Sequence, residues 1–371
     1  MVTQQFKPTH IFVFRTVSEE SKIRPKGVSV VICCHNSASR LKITLDRVLN
    51  QQTTGGLQWE IIVVNNNSSD NTHLLANDIL ATAGQQIPFQ VVDEPEPGLS
   101  SARKKGYDTS KYEYLLLVDD DNWLVPSYIQ IVHDLFEEMP DTGIVGGWGE
   151  PVFESPAPSW FDDFSSCYAL GEQGAVPENK TYTETNLIYG AGMAMRMSAY
   201  DMLHASGYRS ILSDRKGNSL ISGGDTELCL AMNLSPYKLI YDNRLKFKHQ
   251  MPDGRINWHY LKKLTYGFGR STVKTQIYDH YILGHPLPEL NLRLPLWLDR
   301  MLNLAKEFPT YWKLALFGGI ISKEGDKNIL DYLGWKGRLA ELFDLKAQYE
   351  ADHRQIAKLA ESLNGKNIVS K

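Results

Sequence analysis

The sequence predicts an α/β protein in which a mostly parallel sheet is flanked by helices and followed by a C-terminal helical region. In the first half of the chain, four apolar runs rich in β-branched residues alternate with amphipathic helical segments. Such alternation indicates right-handed βαβ units, because parallel strands need a crossover connection. A polar cluster follows each apolar run, and the carboxyl edge of a parallel sheet is where ligands bind.

We divide the 371 residues into three segments. Residues 1–26 are polar and interrupted by proline, which predicts an arm or linker. Residues 27–256 carry the α/β pattern and form the predicted catalytic domain. Residues 257–371 have a helical pattern with scattered tryptophans, which predicts a separate helical region.

The elements follow from the pattern in order. The predicted strands are VSVVICC, WEIIVV, FQVVD and YLLLV, and the helices after them are RLKITLDRVLNQQ, HLLANDILATA, SSARKKGY and PSYIQIVHDLFEEM. Ser69 or Asp70 is the predicted cap of the second helix. From Gly147 the sequence becomes aromatic and irregular, which predicts a region that covers a site. Later, SGGDTELCLAM predicts a loop entering a helix, and KFKHQMP predicts the end of a strand.

Composition excludes some classes of function. The net charge of −4 argues against general nucleic-acid binding. The four cysteines form no C-x-x-C pair, which favours a reducing compartment. Neither a signal peptide nor an apolar run of about 18 residues is recognisable. We therefore expect a cytoplasmic protein, with peripheral contact at the inner face of a membrane left open.

Three adjacent carboxylates, Asp119, Asp120 and Asp121, follow the fourth apolar run. Their charges repel one another and lose hydration there, so something must neutralise them. Asp121 or Asn122 could cap a helix that starts near Pro126, but this explains one carboxylate only. A divalent cation with hard oxygen ligands, Mg²⁺ or Mn²⁺, explains all three.

Asp225 follows Gly223 and Gly224 and precedes Glu227. It could be a helix cap, or a general base with access to a hydroxyl group. The lone His249 could be structural, or it could close on the aspartates.

Arg103 begins a basic run after Gly98. The run could be a solvated helix face or could supply a partner for phosphate.

Six segments resemble, in order and spacing, the family-2 glycosyltransferases of bacterial type, which have the GT-A fold. They are VSVVICCHNSASRLKITLDRVLNQQ, EIIVVNNNSSDNT, PGLSSARKKG, LLLVDDDNWLVP, GGDTEL and HQMPDGRINWHYLKKLTYGFGRS, within about residues 27 to 270. The resemblance implies inverting transfer of a sugar from a nucleoside-diphosphate donor.

The resemblance also assigns roles by position. Asp119 and Asp121 match the D-x-D motif, so Asp121 would bind the metal, with Asp119 or Asp120 near the ribose. Asp119 is a second candidate ligand, and His249 matches a histidine that completes the metal or diphosphate site. Asp225 matches the catalytic base.

The nucleotide loops are assigned in the same way. Cys34, His35, Asn36, Asn65 and Asn66 match loops around the nucleobase, and Arg103 matches the helix that faces the nucleotide. Two positions depart from the family pattern. Asn65 stands where aspartate is common, which leaves the donor open, and Gly224 replaces an acidic residue beside Asp225.

Together these features predict a glycosyltransferase that depends on Mn²⁺ or Mg²⁺. We expect a UDP-sugar donor and a saccharide or lipid-linked acceptor, in polysaccharide or glycolipid synthesis. The alternatives are a sugar-nucleotide pyrophosphorylase and a non-catalytic sugar-binding module of the same fold. A homodimer is also left open.

The segment LWLDRMLNLAKEFPTYWKLALFGGIISK allows two interpretations. Its helices could bury their tryptophans against the catalytic domain, or one could lie on a membrane surface.

Overall fold

The computed structural model describes residues 23–84, 87–212, 222–284, 294–321 and 323–364. Within them the chain forms one nine-stranded sheet with the order β3-β2-β1-β4-β8-β6-β9-β5, and β7 pairs with β9. The predicted arm lies outside the described residues except for its end. There, Arg24 forms an ion pair with Asp201, and Lys26 with Glu137.

The bounds of the elements are as follows. The strands are β1 (Val28–Cys34), β2 (Trp59–Asn66), β3 (Phe89–Glu94), β4 (Tyr114–Asp119), β5 (Asn122–Leu124), β6 (Thr142–Phe153), β7 (Tyr182–Thr185), β8 (Ala194–Arg196) and β9 (Lys238–Met251). The helices are α1 (Leu41–Leu49), α2 (Thr72–Thr82), α3 (Leu99–Thr109), α4 (Tyr128–Glu138), α5 (Met197–Ala205), α6 (Gly224–Asn233), α7 (Trp258–Leu283), α8 (Leu296–Ala305), α9 (Phe308–Ile321), α10 (Lys327–Leu345) and α11 (Ala347–Asn364), and a 3₁₀ helix spans Asp162–Tyr168.

The α/β architecture predicted for the first half is confirmed. Strands β1 to β4 pair in parallel, and the helices α1 to α3 connect them. Cys33 is in register with Asp119, and Cys34 with Asn65, so the polar loops after these strands meet at one edge. The predicted cap of α2 is displaced by at least one residue, because Asn71 occupies the N-cap position. Asp70 nevertheless accepts a hydrogen bond from the backbone N–H of Thr72 at 3.0 Å.

The second half of the sheet is mixed, because β8, β5 and β7 pair antiparallel with their neighbours. The irregular stretch predicted from Gly147 is wrong for residues 147–153, which belong to the long strand β6. A Cβ at Gly147 would lie 1.7 Å from the carbonyl oxygen of Leu245, so only glycine permits this approach of β6 to β9. Glycine makes a strand look like a loop in the sequence. In the structure, the missing side chain is what lets another backbone come close.

Alternating strand residues build a core on each face of the sheet. Val31, Ile62 and Leu115 pack on one face, with residues of α5, α6 and α7. Val30 and Ile61 pack on the other face, with residues of α1, α2 and α4. This period of two fixes which side chains face each helix layer.

The C-terminal helical region is confirmed, and α7 begins at Trp258, close to the predicted boundary. Helices α7 and α10 touch backbone to backbone, since a Cβ at Gly269 would lie 2.1 Å from the Gly334 carbonyl oxygen. Trp335 is buried, and its indole N–H donates to the carbonyl of Leu304 at 2.9 Å. Trp312, by contrast, is 42% exposed, so the interpretation of buried tryptophans holds for Trp335 and not for Trp312. The alternative of a helix on a membrane surface stays a prediction. Among the helices described, none combines the length and the apolar content needed to cross a bilayer.

Candidate active site

A cavity of about 710 Å³ lies at the carboxyl edge of the parallel strands. Its lining includes nine of the eleven predicted site residues: Cys34, His35, Asn66, Arg103, Asp119, Asp120, Asp121, Asp225 and His249. The sheet brings them together because β1 and β4 end side by side and β9 runs next to β5. Asn36 and Asn65 lie outside this lining.

Asp121 is buried and faces two basic side chains. Its Oδ2 accepts a hydrogen bond from Arg255 Nη1 at 2.9 Å, and its Oδ1 lies 3.4 Å from His249 Nε2. The pairing of Asn122 in β5 with His249 in β9 brings this histidine beside Asp121. Burial opposes ionisation, but the hydrogen bond and charge of His249, with the charge of Arg255, hold the pKa of Asp121 below its ordinary value.

Asp120 is also buried, and its carboxylate points to α1. It accepts hydrogen bonds from Ser37 Oγ and from Arg40 Nη2, the latter at 2.6 Å. Burial raises the pKa of Asp120 although Arg40 opposes the shift. The three adjacent charges are therefore relieved in part by arginine and histidine.

The helix-capping alternative for Asp121 or Asn122 is wrong. Helix α4 begins at Tyr128 with Ser127 at its N-cap position, well past both side chains. Asn122 instead lies in β5 and donates to Asp121 at 3.3 Å.

Sequence analysis missed Arg40 and Arg255, both of which line the cavity. Arg40 is in the loop before α1, and Arg255 follows the Pro252–Gly254 turn after β9. An arginine close behind a site loop was a usable signal in both cases. Arg103 lines the same cavity from α3, while its neighbour Lys104 pairs with Asp108 on an exposed face.

Asp225 lies in the first turn of α6, and Gly223, not Asp225, is at the N-cap position. Its Oδ2 accepts from the backbone N–H of Gly190 at 2.7 Å, and its Oδ1 accepts from the N–H of Thr226 at 2.8 Å. The carboxylate is thus held across the cavity from β4 with lone pairs available. This is the geometry that a general base requires.

Gly190 brings the loop before β8 into contact with this carboxylate. A Cβ at Gly190 would lie 2.7 Å from Arg103 Nη2 and 2.8 Å from Asp225 Oδ2. The absence of a side chain here therefore lets Arg103 and Asp225 meet the same loop.

Glu227 anchors the first turn of α6. Its buried carboxylate accepts from the backbone N–H groups of Ile211 and Leu212 at 2.9 and 3.0 Å, and from Tyr278 Oη at 2.9 Å. These bonds join α6 to α7 and to the loop before α6. They act at Glu227, two residues after Asp225. Burial raises the pKa of Glu227, although these donors favour its charged form.

The predicted nucleobase loops are ordered by their own hydrogen bonds. His35 Nδ1 lies 2.8 Å from the carbonyl oxygen of Asn66, and the Asn66 side chain binds the backbone of the loop before α3. Asn36 has a φ of 50°, in the left-handed region that asparagine tolerates. Asn65 donates to Asp93 at 2.8 Å, and within the described part of the chain its buried Oδ1 has no hydrogen-bond partner.

The residues present fit a divalent cation that is shared with a ligand. Within the described ranges, no three His, Cys, Asp or Glu side chains are grouped to hold a metal ion by themselves. Asp121 and His249 nevertheless meet at the cavity wall, and the buried Nδ1 of His249 has no hydrogen-bond partner in that part of the chain. One or two protein ligands, with phosphate and water completing the set, is the usual arrangement for Mg²⁺ at a phosphate site.

Part of the cavity wall is aromatic. Tyr168 and Tyr189 line it from the region after β6, and Tyr260 and Phe268 line it from α7. The cavity crosses the predicted boundary between the catalytic domain and the helical region, because α7 forms part of its wall. Tyr168 and Tyr260 are stacked with ring centroids 6.3 Å apart.

Comparison with known proteins gives a consistent set of matches. Residues 29–203 match the model for glycosyl transferase family 2. The glucosyl-dolichyl phosphate glucuronosyltransferase of Haloferax volcanii is 23% identical over 287 residues, which cover 76% of this chain and 87% of that protein. The poly-beta-1,6-N-acetyl-D-glucosamine synthase of Staphylococcus epidermidis is 30% identical over 126 residues, which cover 33% of this chain and only 28% of the synthase.

Among solved structures, S. aureus TarS 1-349 in complex with UDP-GlcNAc aligns over 91% of both chains. The TM-score is 0.47 and the sequence identity is 13%.

Proposed function

We propose that this chain, a glycosyltransferase of family 2, transfers a sugar from a nucleoside-diphosphate sugar to a hydroxyl group with inversion at the anomeric carbon. A UDP-sugar is the donor that we propose. The observation that carries the proposal is the single cavity that joins Asp225 to the Asp121–His249 pair and to three arginines.

The arginines support binding of a diphosphate. Arg40, Arg103 and Arg255 line the cavity around the aspartates. Guanidinium groups form strong paired hydrogen bonds to phosphate oxygens. Without them, the carboxylates would repel a diphosphate, so these side chains make the site usable for an anionic donor.

Asp121 and His249 would hold Mn²⁺ or Mg²⁺, with Asp119 as a further candidate ligand from the D-x-D pattern. Such an ion, when bound, stabilises negative charge on a leaving diphosphate as a Lewis acid. Arg255 already contacts Asp121 and can take a phosphate oxygen on its remaining N–H groups.

Asp225 is the proposed general base. The oxygen of the acceptor hydroxyl forms a bond to the anomeric carbon, and the bond from that carbon to the diphosphate oxygen breaks with its electron pair. The hydroxyl proton moves to the carboxylate of Asp225, which the Gly190 N–H holds in place at 2.7 Å. A single displacement from the face opposite the leaving group inverts the centre.

The aromatic part of the cavity wall is the proposed acceptor site. Tyrosine and phenylalanine rings offer apolar faces to the C–H face of a sugar, while the hydroxyl groups of the tyrosines can bind sugar oxygens. The names of the two relatives specify a glucosyl-dolichyl phosphate acceptor and a polymer of N-acetyl-D-glucosamine. We therefore propose a saccharide or lipid-linked saccharide, in polysaccharide or glycolipid synthesis. The family match favours transfer over the pyrophosphorylase and non-catalytic alternatives.

Asp225→Asn tests the base directly. We expect turnover to fall by about 10² to 10⁴-fold, since general base catalysis contributes that much. The assay measures UDP released from UDP-glucose, UDP-glucuronic acid and UDP-N-acetylglucosamine with Mn²⁺, using p-nitrophenyl glycosides and a polyprenyl-phosphate glucoside as acceptors. NMR of the product gives its anomeric configuration.

The matched control is Asp162→Asn, because Asp162 is an exposed carboxylate on the 3₁₀ helix. It should keep wild-type turnover. Wild-type turnover in Asp225→Asn, or a product with retained configuration, would contradict the proposed mechanism.

A further inference from the structure

The helix α9 turns an apolar face to solvent. Phe308, Trp312, Leu316 and Phe317 are exposed by 47, 42, 68 and 49%, respectively. The first three follow a spacing of four residues, so they form one stripe along the helix. A soluble helix normally directs such a stripe to the core, and a contiguous exposed patch indicates an interaction surface.

Another side of α9 packs on the protein, and Phe308 at the edge of the stripe also contacts Trp335, with ring centroids 6.3 Å apart. Tyr311 contacts the rings of Tyr332 and Trp335 on α10, with centroids 6.0 and 5.3 Å apart. Leu314 packs against the aromatic cluster that contains Tyr168 and Met251. These contacts hold α9 on the protein. Its exposed stripe is therefore not needed to pack the helix against the core.

Within α9 the charged residue is the lysine Lys313, while beyond its C-terminus Lys323 is followed by the exposed Glu324. Between Phe308 and Lys323 the sequence has no acidic residue, and it contains Lys313. Lys306, Lys313 and Lys323 are exposed, while Glu307, just before the helix, pairs with Arg338 at 3.2 Å. Exposed apolar side chains together with lysines complement a lipid surface with anionic head groups.

The dimensions of α9 favour a helix that lies on a bilayer. Its 14 residues would extend about 21 Å, short of the roughly 30 Å of a bilayer core. We propose that α9 binds the surface of an anionic membrane through the stripe Phe308, Trp312 and Leu316 and through the exposed Phe317 beside it, with Lys313 at the head groups.

This contact would serve the proposed acceptor site. Leu314, on the inner side of α9, packs in the same aromatic cluster as Tyr168 and Met251, and these two residues line the cavity. Binding of α9 to a membrane would therefore bring this aromatic cluster, and with it the aromatic part of the cavity wall, close to the lipid surface. The membrane contact itself does not depend on transferase activity, so the two proposals can fail separately.

The test is sedimentation of the full chain with vesicles. One set contains phosphatidylcholine alone, and a second contains phosphatidylcholine mixed with phosphatidylglycerol. We expect binding to the mixed vesicles, weakened by added salt. The double variant Leu316→Ser/Phe317→Ser should bind at least about tenfold more weakly, because apolar burial drives the contact.

The matched control is Leu74→Ser/Ile43→Ser, which removes two exposed aliphatic side chains. Leu74 is 66% exposed on α2, and Ile43 is 43% exposed on α1. It should bind like the wild type. Equal binding by the two double variants, or no binding of the wild type to anionic vesicles, would overturn the proposal. So would a self-association that the Leu316→Ser/Phe317→Ser variant abolishes, since the stripe would then bind a second copy of the chain. Circular dichroism confirms that each variant is folded.

Discussion

At the level of single residues, two of the three adjacent aspartates have different partners. Asp120 is bound by Arg40, whereas Asp121 is bound by Arg255 and lies beside His249. Two arginines from distant parts of the chain thus allow carboxylates to be buried at a cavity that we expect to receive a diphosphate. The same guanidinium groups can neutralise the carboxylates in the free protein and bind phosphate oxygens when the donor is present.

Arg255→Gln should weaken binding of UDP by roughly tenfold to a hundredfold, because hydrogen bonds to charged groups contribute about 1.5–3 kcal/mol. It should also lower the melting temperature without ligand, since Asp121 loses a buried partner. Calorimetric titration and thermal unfolding measure the two effects. Arg209→Gln is the control, because Arg209 Nη1 donates to the backbone carbonyls of His204 and Tyr208. Unchanged UDP affinity in Arg255→Gln would contradict the assigned role.

The sequence predicted the acids of the site better than their partners. Asp119 to Asp121 are recognisable because three charges after an apolar strand need an explanation. Arg40 and Arg255 carry a weaker signal, their position close behind a site loop, since an arginine in a loop is usually solvated. Their roles depend on long-range contacts between residues 80 and 134 positions apart in the chain.

At the level of elements, the loop before β8 lies against two side chains of the proposed site. A Cβ at Gly190 would lie within 3 Å of the ends of the Arg103 and Asp225 side chains. Gly190→Ala should therefore displace those side chains and lower turnover about tenfold or more, with little loss of stability. Steady-state kinetics measure the turnover, and thermal unfolding measures the stability.

Gly254→Ala is the control for that variant, because a Cβ at Gly254 would meet no atom within 4 Å. It should leave turnover unchanged. If Gly190→Ala kept full activity, the contact of the loop with Asp225 would be dispensable.

The elements of the parallel half could be predicted because their apolar runs are uninterrupted. The GT-A architecture implied by the resemblance agrees with the family match over residues 29–203 and with the helices on both sides of the sheet. Strand β6 escaped prediction because Gly146, Gly147 and Gly149 interrupt its pattern, and β8 because it has only three residues. The role of α7 in the cavity wall also escaped, since helix packing depends on contacts far apart in sequence.

At the level of the whole molecule, one cavity spans the sheet edge and α7, while α9 presents its apolar stripe on the outside. The proposed boundary at residue 256, the cytoplasmic compartment and a homodimer stay predictions. The central claim is that the cavity binds a nucleoside diphosphate together with a divalent ion.

Calorimetric titration of the full chain with UDP, GDP, CDP and dTDP, each with and without Mn²⁺, tests this claim most directly. We expect UDP to bind, to need Mn²⁺ for full affinity, and to lose that dependence in Asp121→Ala. Binding of a different nucleotide would retain the site but correct the donor. If none of the four bound with or without Mn²⁺, the assignment of the aspartates and arginines to a sugar nucleotide would be wrong.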